Sequence, residues 1–141
     1  MLSSSPYYTR LFQAPQSSFF LFGLRGSGKS TWARQEFPNA HVVDLLDEEL
    51  QHELLLDPGR FADELRTLSQ DSWVIVDEIQ RIPSLLNEVH RFLEQAGLHF
   101  LLLGSSAHKL KTAGTNLLAG RALQKTLYPL TPEELGRDFR L

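Results

Sequence analysis

Gly23-Leu24-Arg25-Gly26-Ser27-Gly28-Lys29-Ser30 is the stretch on which the reading of this chain turns. A glycine, four residues and then Gly-Lys-Ser is the pattern of a phosphate-binding loop. Its context matches. Ser18-Phe19-Phe20-Leu21-Phe22 lies before it, a short apolar run suited to a strand covered on both faces. After it, Lys29 to about Phe37 reads as a helix, stopped by Pro38-Asn39. At average glycine usage such a loop arises by chance roughly once in a few hundred chains of this length, and the strand–loop–helix setting lowers that further. Glycines let the backbone curl with its N–H groups turned toward a phosphate, and the next helix adds the partial positive charge of its N-terminus. In that pattern Lys29 reaches the β- and γ-phosphates and the Ser30 hydroxyl binds Mg²⁺. Gly26, Ser27, Gly28 and Thr31 complete the expected phosphate contacts. Arg25 either joins them over the phosphates or faces solvent.

Working outward, strands and helices alternate. His41-Val42-Val43-Asp44-Leu45 is a second strand candidate, and Asp47 to Leu56 is helical by composition. Phe61, Leu65 and Leu68 recur at helix spacing. Trp73-Val74-Ile75-Val76 is a third strand, rich in β-branched and aromatic residues. Pro83 is expected to open the clearest helix. Its apolar stripe is Ile82, Leu85, Leu86, Val89, Phe92 and Leu93, with Asn87, Glu88, Arg91 and Glu94 opposite and Gly97 as the stop. Phe100-Leu101-Leu102-Leu103 is a fourth strand, Arg121 to Tyr128 reads as a fifth, and Thr131-Pro132-Glu133-Glu134 reads as a helix start. This alternation predicts an α/β fold, a three-layer sandwich around a parallel sheet with right-handed crossovers. Ligands in such sheets bind at the carboxyl ends of the strands.

Two further motifs fall at predicted strand ends. Trp73 to Val76 runs into Asp77-Glu78, a buried strand closing in two carboxylates, as in a Walker B motif. There Asp77 is expected to hold Mg²⁺ and Glu78 to orient or deprotonate the attacking water. Two solvated carboxylates at a strand end are common in isolation; beside a phosphate loop the catalytic reading is the stronger. The fourth strand ends in Gly104-Ser105-Ser106, where a small hydroxyl suits contact with a γ-phosphate or the lytic water. Ser105 is the candidate, with Ser106 beside it. Asp44, Asp47, Glu48, Glu49 and Glu53 read as a solvated acidic face, with Asp44 alone near enough to a strand end to approach the site. Arg121 suits an arginine finger or, equally, a structural ion pair.

Gly23 to Thr31, the Asp44 region, Asp77-Glu78-Ile79-Gln80-Arg81-Ile82-Pro83, Leu103-Gly104-Ser105-Ser106, Leu118-Ala119-Gly120-Arg121 and Tyr128-Pro129-Leu130-Thr131 follow one another in order. Together they resemble the prokaryotic AAA-type ATPases whose ATPase core is usually followed by an uncharacterised C-terminal domain. The resemblance implies a P-loop NTPase fold, a five-stranded sheet of order 5-1-4-3-2, and ATP as the nucleotide. The residues themselves divide the chain into a polar arm over 1–16, a core over 17–130, and a helix start over 131–141. Family members usually continue well past Leu141, so the expectation is an ATPase core cut from a longer protein or a naturally short relative.

Composition sets the remaining bounds. Hydrophobic residues make up 42% and charged residues 22% of 141 residues, the profile of one globular domain. There is no cysteine, which excludes disulfides and thiolate metal sites. The formal net charge of -3 offers no global basic field for nucleic acid, and leaves a local basic patch open. No apolar run approaches a membrane span, so a cytoplasmic setting is expected. The function expected is ATP binding and hydrolysis coupled to a conformational change in an attached or partner domain, or in a second copy. A nucleotide-dependent switch with negligible turnover would use the same residues. A small-molecule kinase shares the loop, but Glu78 directly after Asp77 and the lack of an Arg-rich lid segment argue against it.

Overall fold

The computed structural model describes Ala14, residues 16–24 and 27–105, and the backbone of 123–126. The segments of the readings above at 1–13, Arg25, Gly26, Ser106, Arg121 and 131–141 lie outside the described residues. Strand β1 (Phe19–Phe22) leads through the loop into α1 (Lys29–Glu36). Then come β2 (His41–Asp44), α2 (Glu48–Leu56), α3 (Gly59–Arg66) and β3 (Trp73–Asp77). A 3-10 turn at Ile79–Arg81, α4 (Leu85–Gln95), β4 (His99–Gly104) and β5 (Leu123–Thr126) complete the order.

All strand pairings are parallel, in the order β2-β3-β4-β1-β5. Counted from the other edge this is 5-1-4-3-2, the order implied by the family resemblance. Strands buried on both faces must be apolar at every position, and β1 is the extreme case: its four residues are all buried. The edge strand β2 has one face open and buries Val43 while Val42 stays exposed.

The two faces of the sheet carry separate cores. On one face, Phe20, Phe22, Val74, Val76, Phe100 and Leu102 pack with α3 and α4 through Phe61, Leu65, Leu86 and Val89. On the other, Phe19, Leu21, Ile75, Leu101 and Leu103 pack with Trp32 and Ala33 of α1. Alternate residues of one strand thus feed opposite layers, which is the period-2 geometry of a pleated strand. Each fully buried Phe or Leu contributes about 1.5–3 kcal/mol by leaving water.

The helix expected to open at Pro83 begins at Leu85 instead. Glu78 stands in the left-handed region (φ 61°), and Ile82 leaves the helical region (φ -137°, ψ 76°), so the chain does not run helically out of the 3-10 turn. Pro83 sits in the following turn, where its carbonyl accepts from Leu86 N. The apolar stripe itself is as expected: Ile82, Leu85, Leu86, Val89 and Phe92 are buried. At the far end Gly97 adopts φ 68°, a conformation that favours glycine, and the helix stops. No helix among the described residues is long and apolar enough to cross a membrane.

Candidate functional site

The loop closes over the carboxyl ends of β1, β3 and β4. Gly23 N donates to the Gly104 carbonyl at 3.1 Å, which ties the start of the loop to the end of β4. Ser27 N donates to the Leu24 carbonyl at 3.0 Å in a tight turn. Gly28 takes φ 89°, so a side chain there would be strained, and it delivers the chain directly into α1. No side chain caps α1, and its first turn holds no acidic residue. By contrast α2 is capped by Asp47, whose Oδ1 accepts from Glu49 N and Leu50 N. The start of α1 therefore keeps its N–H groups available to an anion.

Lys29 and Ser30 are the first two residues of α1 and face β3. Ser30 Oγ donates to Asp77 Oδ2 at 2.5 Å. Lys29 Nζ stands 3.8 Å from Glu78 Oε2, both side chains being largely buried. Gly28, Lys29, Ser30, Thr31, Leu46, Asp77 and Glu78 line a cavity of about 210 Å³. Ser27, in the loop, is buried, and Ser105 directly follows the end of β4. The structure thus brings together Ser27, Gly28, Lys29, Ser30, Thr31, Asp77, Glu78 and Ser105 at one end of the sheet.

Asp77 is nearly fully buried, and burial raises its carboxyl above the ordinary value of 3.8. The hydrogen bond from Ser30 opposes the shift, Asp44 and Glu78 add to it, and Lys29 opposes it again. Its second oxygen, Oδ1, has no hydrogen-bond partner among the described residues. An orphaned buried carboxylate oxygen beside a serine hydroxyl is a donor pair of the kind that holds Mg²⁺, which takes few protein ligands and completes its shell with water and phosphate oxygens. Among the described residues no cluster of three or more acidic or histidine side chains could hold a metal without such help.

Asp44 lies directly across the sheet from Asp77, as the strand register requires. Its carboxylate does not turn into the cavity: Oδ1 accepts from Leu46 N at 3.0 Å and Oδ2 lies 3.6 Å from Arg34. Asp44 acts on the site through charge alone. Two residues at the site carried no role in the sequence. Leu46 lines the cavity although nothing in its local pattern marks it. Gln80 bridges Glu78 and Ser105, donating from Nε2 to Glu78 Oε1 at 3.1 Å and to Ser105 Oγ at 3.3 Å.

A glycine loop feeding a helix at the carboxyl edge of a parallel sheet defines the P-loop nucleotide-binding class. A family model described as an AAA domain matches residues 16–136. The chain belongs to this family of AAA-type, ATP-binding ATPase domains. No curated protein matches it. Among solved structures, that of the Orc1 protein of Aeropyrum pernix in complex with DNA is similar, with a TM-score of 0.64 and 17% identity. The alignment covers 89% of this chain and 42% of that one, so the chain spans less than half the length of that structure. At this identity the likeness is one of fold.

Proposed function

We propose that the chain binds Mg-ATP, hydrolyses it, and couples the cycle to movement of an attached or partner domain. The observation that carries this reading is the pairing of Ser30 with Asp77 while Asp77 Oδ1 stays buried, with no partner among the described residues, near an uncapped helix start. In the proposal the N–H groups at the start of α1 bind the phosphates and Lys29 leaves Glu78 for the β- and γ-oxygens. Ser30 and Asp77 hold the Mg²⁺, which when bound would neutralise charge on the phosphates. Glu78 then orients the attacking water and accepts its proton at a carboxylate oxygen. The proposal gives Ser105 a contact with the γ-phosphate or the lytic water, and gives Arg121 the part of an arginine finger.

The same contacts favour a slow or gated turnover as the second reading. Glu78 is engaged by both Lys29 and Gln80 before any nucleotide arrives. The proposed core is residues 17–130, within the family match over 16–136, and the proposed setting is the cytoplasm. The Orc1 structure contains DNA, yet a net charge of -3 gives this chain no general affinity for a polyanion, so a protein domain is the partner proposed.

Calorimetry and single-turnover hydrolysis on the parent, Lys29→Ala and Glu78→Gln test the reading. Lys29→Ala should weaken Mg-ATP binding on the order of a hundredfold, by loss of a charge-assisted contact. Glu78→Gln should bind as tightly as the parent and hydrolyse slower by on the order of 10². Parental affinity in Lys29→Ala would remove the loop from the account, and parental hydrolysis in Glu78→Gln would remove the base.

A further inference from the structure

We propose that Gln80 is a positioning residue that links the hydroxyl of Ser105 to the carboxylate of Glu78, so that what β4 senses at the γ-phosphate sets the aim of the base. The proposal rests on the ATPase reading above and deepens it.

The case begins with the backbone. Glu78 is a non-glycine residue at φ 61° and ψ 51°, a conformation in which glutamate is uncommon. The kink turns the chain back across the end of the sheet, and the 3-10 turn that follows sets Gln80 between the end of β3 and the end of β4. A primary amide has two N–H donors on one nitrogen, and here both have acceptors: Glu78 Oε1 on one strand end and Ser105 Oγ on the other. The orientation of the amide follows from the same chemistry. An ionised carboxylate only accepts, so the NH₂ faces Glu78 and the amide oxygen must face the other way.

That oxygen, Gln80 Oε1, is buried with no hydrogen-bond partner among the described residues. It lies against Gly104: a Cβ on Gly104 would meet it at 2.9 Å. An unpartnered buried amide oxygen costs stability. A residue whose only task was to pack beside β4 would be better apolar. The amide is explained if its donors matter more than its acceptor. Asparagine is one methylene shorter, and glutamate would set a like charge against Glu78. Gly104 supplies the space in which the amide sits, and its carbonyl also receives Gly23 N, so the loop, β4 and Gln80 meet at one residue.

The consequence concerns what happens when Lys29 turns to the phosphates. Glu78 then loses its cationic neighbour, and Gln80 is the remaining described side chain that holds its carboxylate. A shift of Ser105 toward a γ-phosphate would pull the shared amide and re-aim Glu78. A misaimed base affects the chemical step while leaving the nucleotide's own contacts in place.

The test is Mg-ATP affinity by calorimetry with single-turnover hydrolysis on the full chain. Gln80→Ala should lower the rate by about tenfold or more, the scale of misplacing a reacting group. Its Mg-ATP Kd should move by less than about twofold, since ground-state contacts are kept. Gly104→Ala keeps every polar group and pushes only the flexible end of Gln80, so it should reproduce the rate loss with a thermal midpoint near the parent's. In the Gln80→Ala/Ser105→Ala double variant the rate should fall no further than in the slower single variant, because residues of one linkage are not additive. Parental hydrolysis in Gln80→Ala, or full additivity with Ser105→Ala, overturns the linkage and leaves the ATPase reading intact. A parent chain that neither binds nor hydrolyses Mg-ATP overturns the ATPase reading, and the linkage with it.

Discussion

The two ends of the sheet are built to opposite standards. At the amino ends of the strands the chain satisfies itself. Ser18 Oγ accepts from Phe100 N at 2.8 Å, His99 N donates to the Ser72 carbonyl at 2.9 Å, and Asp71 N donates to the Gly97 carbonyl at 3.0 Å. Phe19, Trp32, Phe37 and Trp73 meet there in edge and tilted contacts, and Trp73 stacks on His99. At the carboxyl ends, Asp77 Oδ1 and Gln80 Oε1 are buried without hydrogen-bond partners among the described residues, and Glu78 Oε2 faces Lys29 without a hydrogen bond from any of them. Among the described residues each end also holds one non-glycine residue at positive φ, Asp71 at 68° and Glu78 at 61°. Aspartate adopts that region several times more readily than most residues, whereas glutamate has no such excuse. The difference teaches where stability is made and where it is given up: unpaired groups gather where a ligand would complete them.

The first way to break this comparison is to damage the stable end. Phe19 is fully buried between Trp32, Phe37 and Trp73. Phe19→Ala should cost about 3–5 kcal/mol, transfer and cavity terms together. Urea unfolding of the nucleotide-free chain measures it. Mg-ATP affinity of the folded fraction should stay near the parent's. A matching collapse of affinity would mean that the two ends do not divide the labour.

A smaller cut at the same end sharpens it. Ser18→Ala leaves Phe100 N unpaired inside the protein, at a cost of about 1–3 kcal/mol. Unfolding midpoints would show it, and a neutral result would mean that water reaches the amino ends too.

How much of this was legible in the sequence follows from the same division. Strands β1, β3 and β4 were readable because burial on both faces demands unbroken apolar runs, and α4 because its stripe repeats at helix period. The start of α4 was misplaced because Pro83 suits a first helical turn equally well as the bend observed, and what decides between them is the kink at Glu78. Lys29, Ser30, Asp77 and Glu78 were found because each belongs to a local motif whose chemistry shows in a few consecutive residues. Gln80 stands in the sequence only as one residue of the Asp77 to Pro83 motif. Its contact with Ser105 depends on the pairing of β3 with β4, which no local window contains. Asp44 was placed near the site, but its turn toward Arg34 and Leu46 N is a matter of side-chain geometry.

The smallest expected effect tests the other end directly. If the carboxyl ends give up stability for binding, removing one of their costs should stabilise the nucleotide-free chain. Asp77 is the group to change. Its carboxyl is raised above 3.8 chiefly by burial, so in the folded chain the ionised form is disfavoured relative to the unfolded chain. The sign of the linkage follows. Below the ordinary carboxyl value both states are protonated and the fold bears no cost. As pH rises through the raised value, the folded chain must ionise Asp77 in a dry place, and stability is lost. Asp77→Asn keeps the shape and an oxygen to accept from Ser30, but carries no charge. Near neutral pH it should unfold at a higher urea concentration than the parent, by less than Ser18→Ala loses. The advantage should shrink as pH falls toward 3.8, because the parent's own carboxyl is then neutral. In the same variant Mg-ATP affinity should drop, since the orphaned oxygen is gone. An Asp77→Asn chain less stable than the parent at neutral pH would show that the charge is already well satisfied by Lys29 and Ser30, and the contrast between the two ends would lose its thermodynamic basis.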